Sequence, residues 1–172
     1  MKKRVIVSTI ALFATTLAAI GASTDKAAEL IKGFEGFRPS VYKCEAGKGT
    51  IGYGFTSADM IEKKTIKEDE ASVELSRICE DLKMKLRAEL GKGNTLLPHE
   101  EAAVISLIYN IGWTNFKKSK MCRLLKEGRR GAVIGVEFRK WIYITKNGKK
   151  VISKGLAKRR DKEIRAFLIG RC

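Results

Sequence analysis

Three side chains of different chemistry stand close together in the N-terminal third of the chain. Glu35 carries a carboxyl group, Cys44 follows nine positions later with a thiol, and Thr50 stands fifteen positions after Glu35 with a hydroxyl. A carboxyl group can donate a proton, and a thiolate can act as a negative charge or as a base toward water. The spacing indicates an acid at a helix end that faces a hairpin carrying polar groups. By itself it leaves open whether the stretch is a catalytic site or a loop.

The elements around these residues follow from hydrophobic periodicity and glycine content. A short amphipathic helix is predicted from Asp25 to about Gly33, with Ser23 or Thr24 as its cap. Glycines alternate with apolar residues from Val41 to Phe55, which is typical of a small β-hairpin or a three-stranded sheet.

Further along, the pattern predicts helices. Thr65 and Glu68 form a capping-box pattern that opens a long helix to about Leu90, stopped by Gly91 and long enough to bridge two lobes. Pro98 begins a helix that is too apolar for the surface. Shorter helices are predicted near 117–127, 131–140 and 154–168, with a turn at 146–149. We therefore expect an α+β, predominantly α fold, with a small β-hairpin lobe and a helical lobe joined by the long helix.

The N-terminus has the layout of an export segment. Residues 1–4 include three basic side chains, and residues 5–22 form eighteen residues without a charge. The run fits a cleaved signal, a permanent anchor or a weak anchor that can leave the bilayer; a buried core helix is the remaining interpretation. We expect residues 1–23 to be a signal or signal-arrest-release segment and residues 24–172 to be the catalytic domain.

The charge of the chain is concentrated near its C-terminus. The net charge is +16, and residues 117–172 hold 19 basic and 4 acidic side chains. The positive charge of this C-terminal third predicts an anionic partner, which would be nucleic acid, a membrane surface or a cell-wall polymer. The four cysteines form no C-x-x-C pair and His99 is the single histidine, so we expect no metal and no cofactor.

Four motifs in order resemble a known family. The spacing from Glu35 through Thr50 to the TIGYG run resembles the phage-type lysozymes, which are the endolysin muramidases of glycoside hydrolase family 24. The segments Ile108–Gly112, Phe116–Leu125 and Gly155–Glu163 resemble that family's later motifs, with Trp141 before the last of them. The resemblance covers about residues 24–170, and the N-terminal run resembles the signal-arrest-release endolysins.

The resemblance implies a lysozyme-like fold and an enzyme that hydrolyses the β-1,4 bond between N-acetylmuramic acid and N-acetylglucosamine in peptidoglycan, which lyses the host cell. It implies a protein that is exported, tethered to the inner membrane and then periplasmic, with the glycan held between the lobes. Peptidoglycan strands are the expected partner, and the basic C-terminal third would contact an anionic envelope or membrane surface. We expect a monomer and no nucleic acid.

The resemblance also implies a catalytic role for each of the three residues. Glu35 would be the general acid, with Phe34 and Phe37 desolvating its charged form. Cys44 stands where many relatives place an aspartate, and its thiolate would do the work of that carboxylate. Thr50 would hold the attacking water or the second catalytic group by its hydroxyl.

Several alternatives stay open at this stage. The first alternative is that Glu45 supplies the carboxylate in place of Cys44. The second is that Cys44 is a structural or disulfide cysteine. A disulfide on Cys44 would hold the enzyme inactive until thiol exchange released it. Tyr53 and Asn110 are candidate sugar-binding residues, with core packing as their alternative.

Two other functions compete with the enzyme. The chain would also suit a catalytically inactive basic module that binds the envelope or nucleic acid, with Arg159 and Arg160 on a basic helix. The third interpretation is a membrane-active peptide fused to an inert domain.

Overall fold

The computed structural model of the 172-residue chain describes residues 22–43, 47–146 and 148–169. In this part of the chain, helices form most of the structure and four short strands form two hairpins. The elements are α1 (residues 22–35), β1 (Arg38–Lys43), β2 (Gly49–Gly52), α2 (Ala58–Glu62), α3 (Glu68–Leu90), α4 (Pro98–Ile111), α5 (Trp113–Lys117), α6 (Lys120–Lys126), α7 (Ala132–Phe138), β3 (Tyr143–Lys146), β4 (Lys149–Ile152) and α8 (Lys154–Ile169). This order confirms the predicted α+β, predominantly helical fold.

The hairpin lobe consists of the antiparallel strands β1 and β2 and the loop that follows them. Tyr42 lies opposite Thr50, and the pairing is irregular between Arg38 and Tyr42. Ile51 also pairs with Phe55, and both side chains are buried. The lobe thus has a small apolar core of its own, directly after the end of α1.

Helix α1 begins earlier than the sequence predicts. Residues 22–24 already lie in the described helix, so the prediction that Ser23 or Thr24 caps a helix beginning at Asp25 is wrong. The Thr24 hydroxyl instead donates to the Glu80 carboxylate at 2.9 Å and lies 3.2 Å from the Lys83 ammonium. A cap signal is local, whereas these partners are more than fifty residues away on α3.

Helix α3 connects the two lobes. It begins at Glu68 rather than at Thr65, and the Glu68 carboxylate accepts a hydrogen bond from the Tyr53 hydroxyl at 2.9 Å instead of completing a capping box at Thr65. Gly91 follows its last residue, as predicted. Its buried face includes Lys83, which forms an ion pair with Glu80 at 2.6 Å.

The helical lobe is built around α4. Its residues from 100 to 108 are buried, which confirms the predicted core helix, and α8 packs along it. The helix predicted near 117–127 is α6, which begins after Ser119, because the Ser119 hydroxyl accepts a hydrogen bond from the Cys122 N–H. The short helix α5 precedes it and was not predicted. Helices α7 and α8 lie where the sequence predicts them.

A second hairpin surrounds the turn predicted at residues 146–149. Strands β3 and β4 pair antiparallel, with Tyr143 opposite Ile152 and Thr145 opposite Lys150, and all eight strand residues are exposed. Asn147 in the turn lies outside the described residues. The uncharged N-terminal run also lies outside them, apart from residue 22; within the described ranges no helix is long and apolar enough to cross a membrane.

Gly52 offers a test of the packing in the hairpin lobe. Its φ is +64°, and a Cβ atom there would lie 2.7 Å from the Phe55 ring. We expect Gly52→Ala to lower the free energy of unfolding by about 1–3 kcal/mol, measured by urea denaturation, because it adds backbone strain and a clash. Gly93→Ala is the control, since a Cβ there meets no atom within 4 Å. Equal losses in the two variants would contradict this account.

Candidate active site

Glu35 is the last residue of α1, and its side chain is 26% exposed. Its Oε1 atom accepts a hydrogen bond from Arg159 Nη1 of α8 at 2.5 Å. Its Oε2 atom faces the hairpin lobe, because a Cβ atom at Gly54 would lie only 3.3 Å from it. The carboxylate therefore stands between the helical lobe and the loop that follows β2.

Gly54 allows this close approach. Its φ is +97°, and a side chain there would meet both the Glu35 carboxylate and, at 3.6 Å, the Tyr109 hydroxyl. The Tyr109 hydroxyl donates to the Tyr53 carbonyl at 2.8 Å, which ties the loop to α4. Backbone from the hairpin lobe thus forms one side of the Glu35 environment.

Arg159 is held by several groups besides Glu35. Its Nε lies 3.1 Å from Glu163 Oε1, and its Nη2 donates to the Ser106 carbonyl at 3.2 Å. The guanidinium carbon lies 4.7 Å from the centre of the Phe34 ring, a cation–π contact. Because each guanidinium nitrogen is engaged, Arg159 presents a fixed positive charge to Glu35.

Glu163 is the buried anion that fixes two arginines. It is fully buried, accepts a hydrogen bond from the Ser106 hydroxyl at 2.7 Å and forms an ion pair with Arg160 Nε at 2.7 Å. Burial raises the pKa of the Glu163 carboxyl, and Arg160 and Arg159 act against that rise. Burial lowers the pKa of Arg160 to about 10, so its guanidinium stays protonated at neutral pH. The cluster therefore holds two cations against one buried carboxylate, and Glu35 supplies a second negative charge.

One cavity is lined by Glu35, and a second is lined by Gly54. The larger, of about 800 Å³, is lined by Glu35, Asn110, Trp141 and Arg159 together with the β3–β4 hairpin. The smaller, of about 230 Å³, is lined by Gly54 and neighbouring residues of the hairpin lobe, with α3 and α4. The larger volume is typical of a ligand-binding cleft. It lies on the helical-lobe side of Glu35, whereas the smaller one lies between the lobes.

The residues predicted from the sequence lie in different environments. Asn110 lines the larger cavity, and its side-chain oxygen accepts a hydrogen bond from Arg160 at 3.0 Å. Thr50 is buried in β2, where its hydroxyl donates to the Lys48 carbonyl at 3.2 Å. Tyr53 is buried and lines neither cavity. Cys44 and Glu45 lie outside the described residues.

The two phenylalanines near Glu35 each contact another side chain. The Phe34 ring lies against the Arg159 guanidinium, and Phe37 packs on the Tyr53 ring with centroids 5.5 Å apart. A charged partner, Arg159, contacts the carboxylate directly. The reason is tertiary, because α8 brings Arg159 to the end of α1.

The sequence contained a signal for part of this cluster. Arg159 and Glu163 stand four positions apart on a predicted helix, and Arg160 and Glu163 three positions apart, which are the spacings of helical ion pairs. Such pairs usually lie on the surface, and nothing local indicates burial or the contact with Glu35. Among the described residues, no group of three or more histidine, cysteine, aspartate or glutamate side chains is placed to hold a metal.

Glu163→Gln tests the importance of the buried anion. The substitution leaves two buried guanidinium groups without their shared carboxylate, so we expect the free energy of unfolding to fall by about 3 kcal/mol or more. Asp161→Asn is the matched control on the same helix, because the Arg139–Asp161 pair at 3.0 Å is exposed and worth about 1 kcal/mol or less. A Glu163→Gln variant as stable as the control in thermal or urea unfolding would contradict the assignment.

Comparisons with known proteins identify relatives of this chain. The sequence model of the phage lysozyme family matches residues 32–163. An endolysin from Acyrthosiphon pisum secondary endosymbiont phage 1 is 32% identical over 144 residues, which are 84% of this chain and 96% of that protein. A SAR-endolysin from Bacteriophage PS119 is 29% identical and covers 81% of this chain and 79% of its own length.

A solved structure shows the same fold. The endolysin from Escherichia coli O157:H7 phage FAHEc1 superposes with a TM-score of 0.71 and 29% identity, covering 85% of this chain and 92% of its own. The sequence match spans the end of α1, the hairpin lobe and the Arg159–Glu163 cluster. This chain therefore belongs to the phage lysozyme family and is a glycoside hydrolase of the lysozyme type.

Proposed function

We propose that this protein is an endolysin that hydrolyses the β-1,4 bond between N-acetylmuramic acid and N-acetylglucosamine in peptidoglycan, with Glu35 as the general acid. The observation that carries the proposal is the position of the Glu35 carboxylate, which lines the larger cavity, is fixed by Arg159 and has Gly54 of the hairpin lobe beside its other oxygen. Hydrolysis of a glycosidic bond needs a carboxylic acid that protonates the leaving oxygen. A partly exposed carboxyl group at the edge of a large cleft meets that need.

The two oxygens of Glu35 have different roles in this mechanism. Oε1 accepts the hydrogen bond from Arg159, and no described residue donates a hydrogen bond to Oε2. Oε2 therefore carries the proton to the leaving oxygen. When the proton leaves, Glu35 becomes a carboxylate, and the positive charge of Arg159 stabilises it. Arg159 acts through Glu35 and is a positioning residue.

A second group must stabilise the sugar cation or activate water on the other side of the bond. We assign this role to the thiolate of Cys44, with Glu45 as the alternative carboxylate. Thr50 would hold the water. Its hydroxyl proton points to the Lys48 carbonyl, so the oxygen lone pairs are available to accept a hydrogen bond from water.

Export by a releasable N-terminal segment completes the proposal. Residues 5–22 carry no charge and follow three basic side chains, and one relative is named as a SAR-endolysin. In this proposal residues 1–23 tether the protein to the inner membrane and residues 24–172 act on the cell wall from the periplasm as a monomer. Exposed basic residues of the C-terminal third would hold the enzyme near anionic envelope surfaces.

The inactive basic module is less consistent with the geometry. That interpretation required Arg159 and Arg160 to be surface cations, but the two residues are only 5% and 0% exposed. Both are engaged by Glu163, and Arg159 also contacts Glu35. Their positions support a role in holding an active site rather than in contacting nucleic acid.

Glu35→Gln is the direct test of the enzyme. Removal of the acid proton should reduce the release of reducing ends on N-acetylmuramic acid from purified peptidoglycan by about 10²- to 10⁴-fold, while polyanion binding stays intact. Glu29→Gln, an exposed position on the same helix, should retain full activity. Undiminished release by Glu35→Gln would refute the proposal, and lysis that still required residues 5–22 would favour the membrane-active peptide.

Two cysteines provide a test of burial in the folded protein. Cys79 and Cys122 are free and buried, and burial raises the pKa of Cys79 to about 12 and also raises that of Cys122. In the folded protein at pH 8 we expect both to react slowly with a thiol reagent, because little thiolate is present, and to react fully after denaturation. Rapid labelling of either in the folded state would contradict their burial.

Under this proposal, a disulfide on Cys44 inhibits the enzyme. Muropeptide release should then rise on addition of reductant. Release that is equal with and without reductant, or a Cys44 that is already reactive in the membrane-held protein, would count against the hypothesis.

A further inference from the structure

The β3–β4 hairpin forms a wall of the larger cavity. Tyr143, Ile144 and Lys150 line it. Every strand residue of this hairpin is exposed, so the ribbon buries little apolar surface of its own. A two-stranded ribbon gains little stability in water by itself. Its position beside the Glu35 cleft suggests that a ligand in the cleft contacts it.

The cations of this cavity differ in their partners. Arg159 is paired with Glu35 and Glu163, and Lys140 donates to the Glu137 carboxylate at 2.7 Å. Lys150 makes no ion pair or hydrogen bond with any residue in the described ranges. Glu35 is the one carboxylate that lines the cavity in this part of the chain, and Arg159 holds it. Lys150 is thus a cation at the cleft that no described residue neutralises and that is available to a ligand.

We propose that Lys150 binds a carboxylate carried by the muramic acid residues of the substrate, an inference that rests on the proposed function. In peptidoglycan the carboxylates belong to N-acetylmuramic acid, either as the free lactyl group or on the peptide attached to it. N-acetylglucosamine carries none. A single cation on the cleft wall therefore distinguishes the two sugars by charge and favours one register of the strand. Tyr143 provides an aromatic surface beside it.

The hairpin contains a matched control for this role. Lys149 precedes Lys150 on β4, and the register places it opposite Lys146, whereas Lys150 lies opposite Thr145. Successive side chains of a strand point to opposite faces, so Lys150 shares the face of Tyr143 and Lys149 the face of Ile144. Lys149 does not line the cavity. The two residues have the same charge, are both exposed and belong to the same strand, but only Lys150 lines the cavity.

The test measures binding rather than turnover. The full chain carrying Glu35→Gln is titrated into fluorescent glycan strands of three kinds: strands with peptides, strands stripped of peptides by an amidase, and peptide-bearing strands whose carboxyl groups have been amidated. When Lys150→Gln is added to the Glu35→Gln chain, we expect the Kd for peptide-bearing strands to rise about two- to fivefold, which is the effect of losing one partly exposed ion pair. We expect no change on amidated strands, and Lys149→Gln should leave all three Kd values unchanged.

The strands also distinguish the two sources of carboxylate. The lactyl carboxyl is free only in stripped strands, because the peptide is attached to it through an amide bond. A rise in Kd on peptide-bearing strands alone therefore assigns the carboxylates of the peptide, a rise on stripped strands alone assigns the lactyl group, and a rise on both shows that Lys150 binds either. The difference in Kd between the Lys150→Gln variant and its Glu35→Gln parent should fall as salt is raised to about 1 M, where the screening length is about 3 Å. Equal effects of Lys149→Gln and Lys150→Gln, no effect of Lys150→Gln, or an effect that persists on amidated strands would each overturn the inference.

Failure of the proposed function would look different. In that case the chain with Glu35 intact would release no reducing ends from any strand. The Kd comparison would still decide whether Lys150 recognises a carboxylate, because the binding assay does not depend on cleavage.

Discussion

The buried carboxylate of Glu163 is the interaction on which the site depends. It lies where α8 packs along α4, and it accepts contacts from Arg159, Arg160 and the Ser106 hydroxyl. Burying a charge costs several kcal/mol unless partners compensate it, so a carboxylate at this position requires the arginines and the arginines require the carboxylate. The cluster has one more cation than anion, and its Arg159 side chain forms an ion pair with Glu35. A group that does not line the cleft thereby fixes the environment of Glu35, the proposed general acid.

This dependence makes the active site a product of the whole domain. Glu35 and Arg159 are 124 positions apart, and the loop at Gly54 closes the other side of the carboxylate. Helix α1 is held against α3 through Thr24, whose hydroxyl contacts Glu80 and Lys83. The acid can therefore take its position only when α1, the hairpin lobe and α8 are all assembled. A partly folded chain would have the residues of the site without its geometry.

The positive charge of the C-terminal third divides into two kinds. Arg159 and Arg160 are buried and structural, whereas Lys149 and Lys150 are exposed on the second hairpin. Net charge therefore overstates the cationic surface available to a partner, because part of it is neutralised inside the protein. The exposed part includes Lys150 at the mouth of the cleft, where a cation affects which strand is bound and in which register.

The sequence by itself determined the first hairpin and the longer helices α1, α3, α4 and α8, the position of Glu35 at a helix end, the end of α3 at Gly91 and the buried character of α4. These features depend on periodicity and on backbone preferences that act within a few residues. The tertiary structure alone decided that Thr24 contacts α3 instead of capping α1, that Tyr53 is buried with its hydroxyl on Glu68, and that Arg159 reaches Glu35. The second hairpin was visible in the sequence only as a turn. Burial and the partner of a charge depend on which distant elements pack together, and no local pattern records that choice.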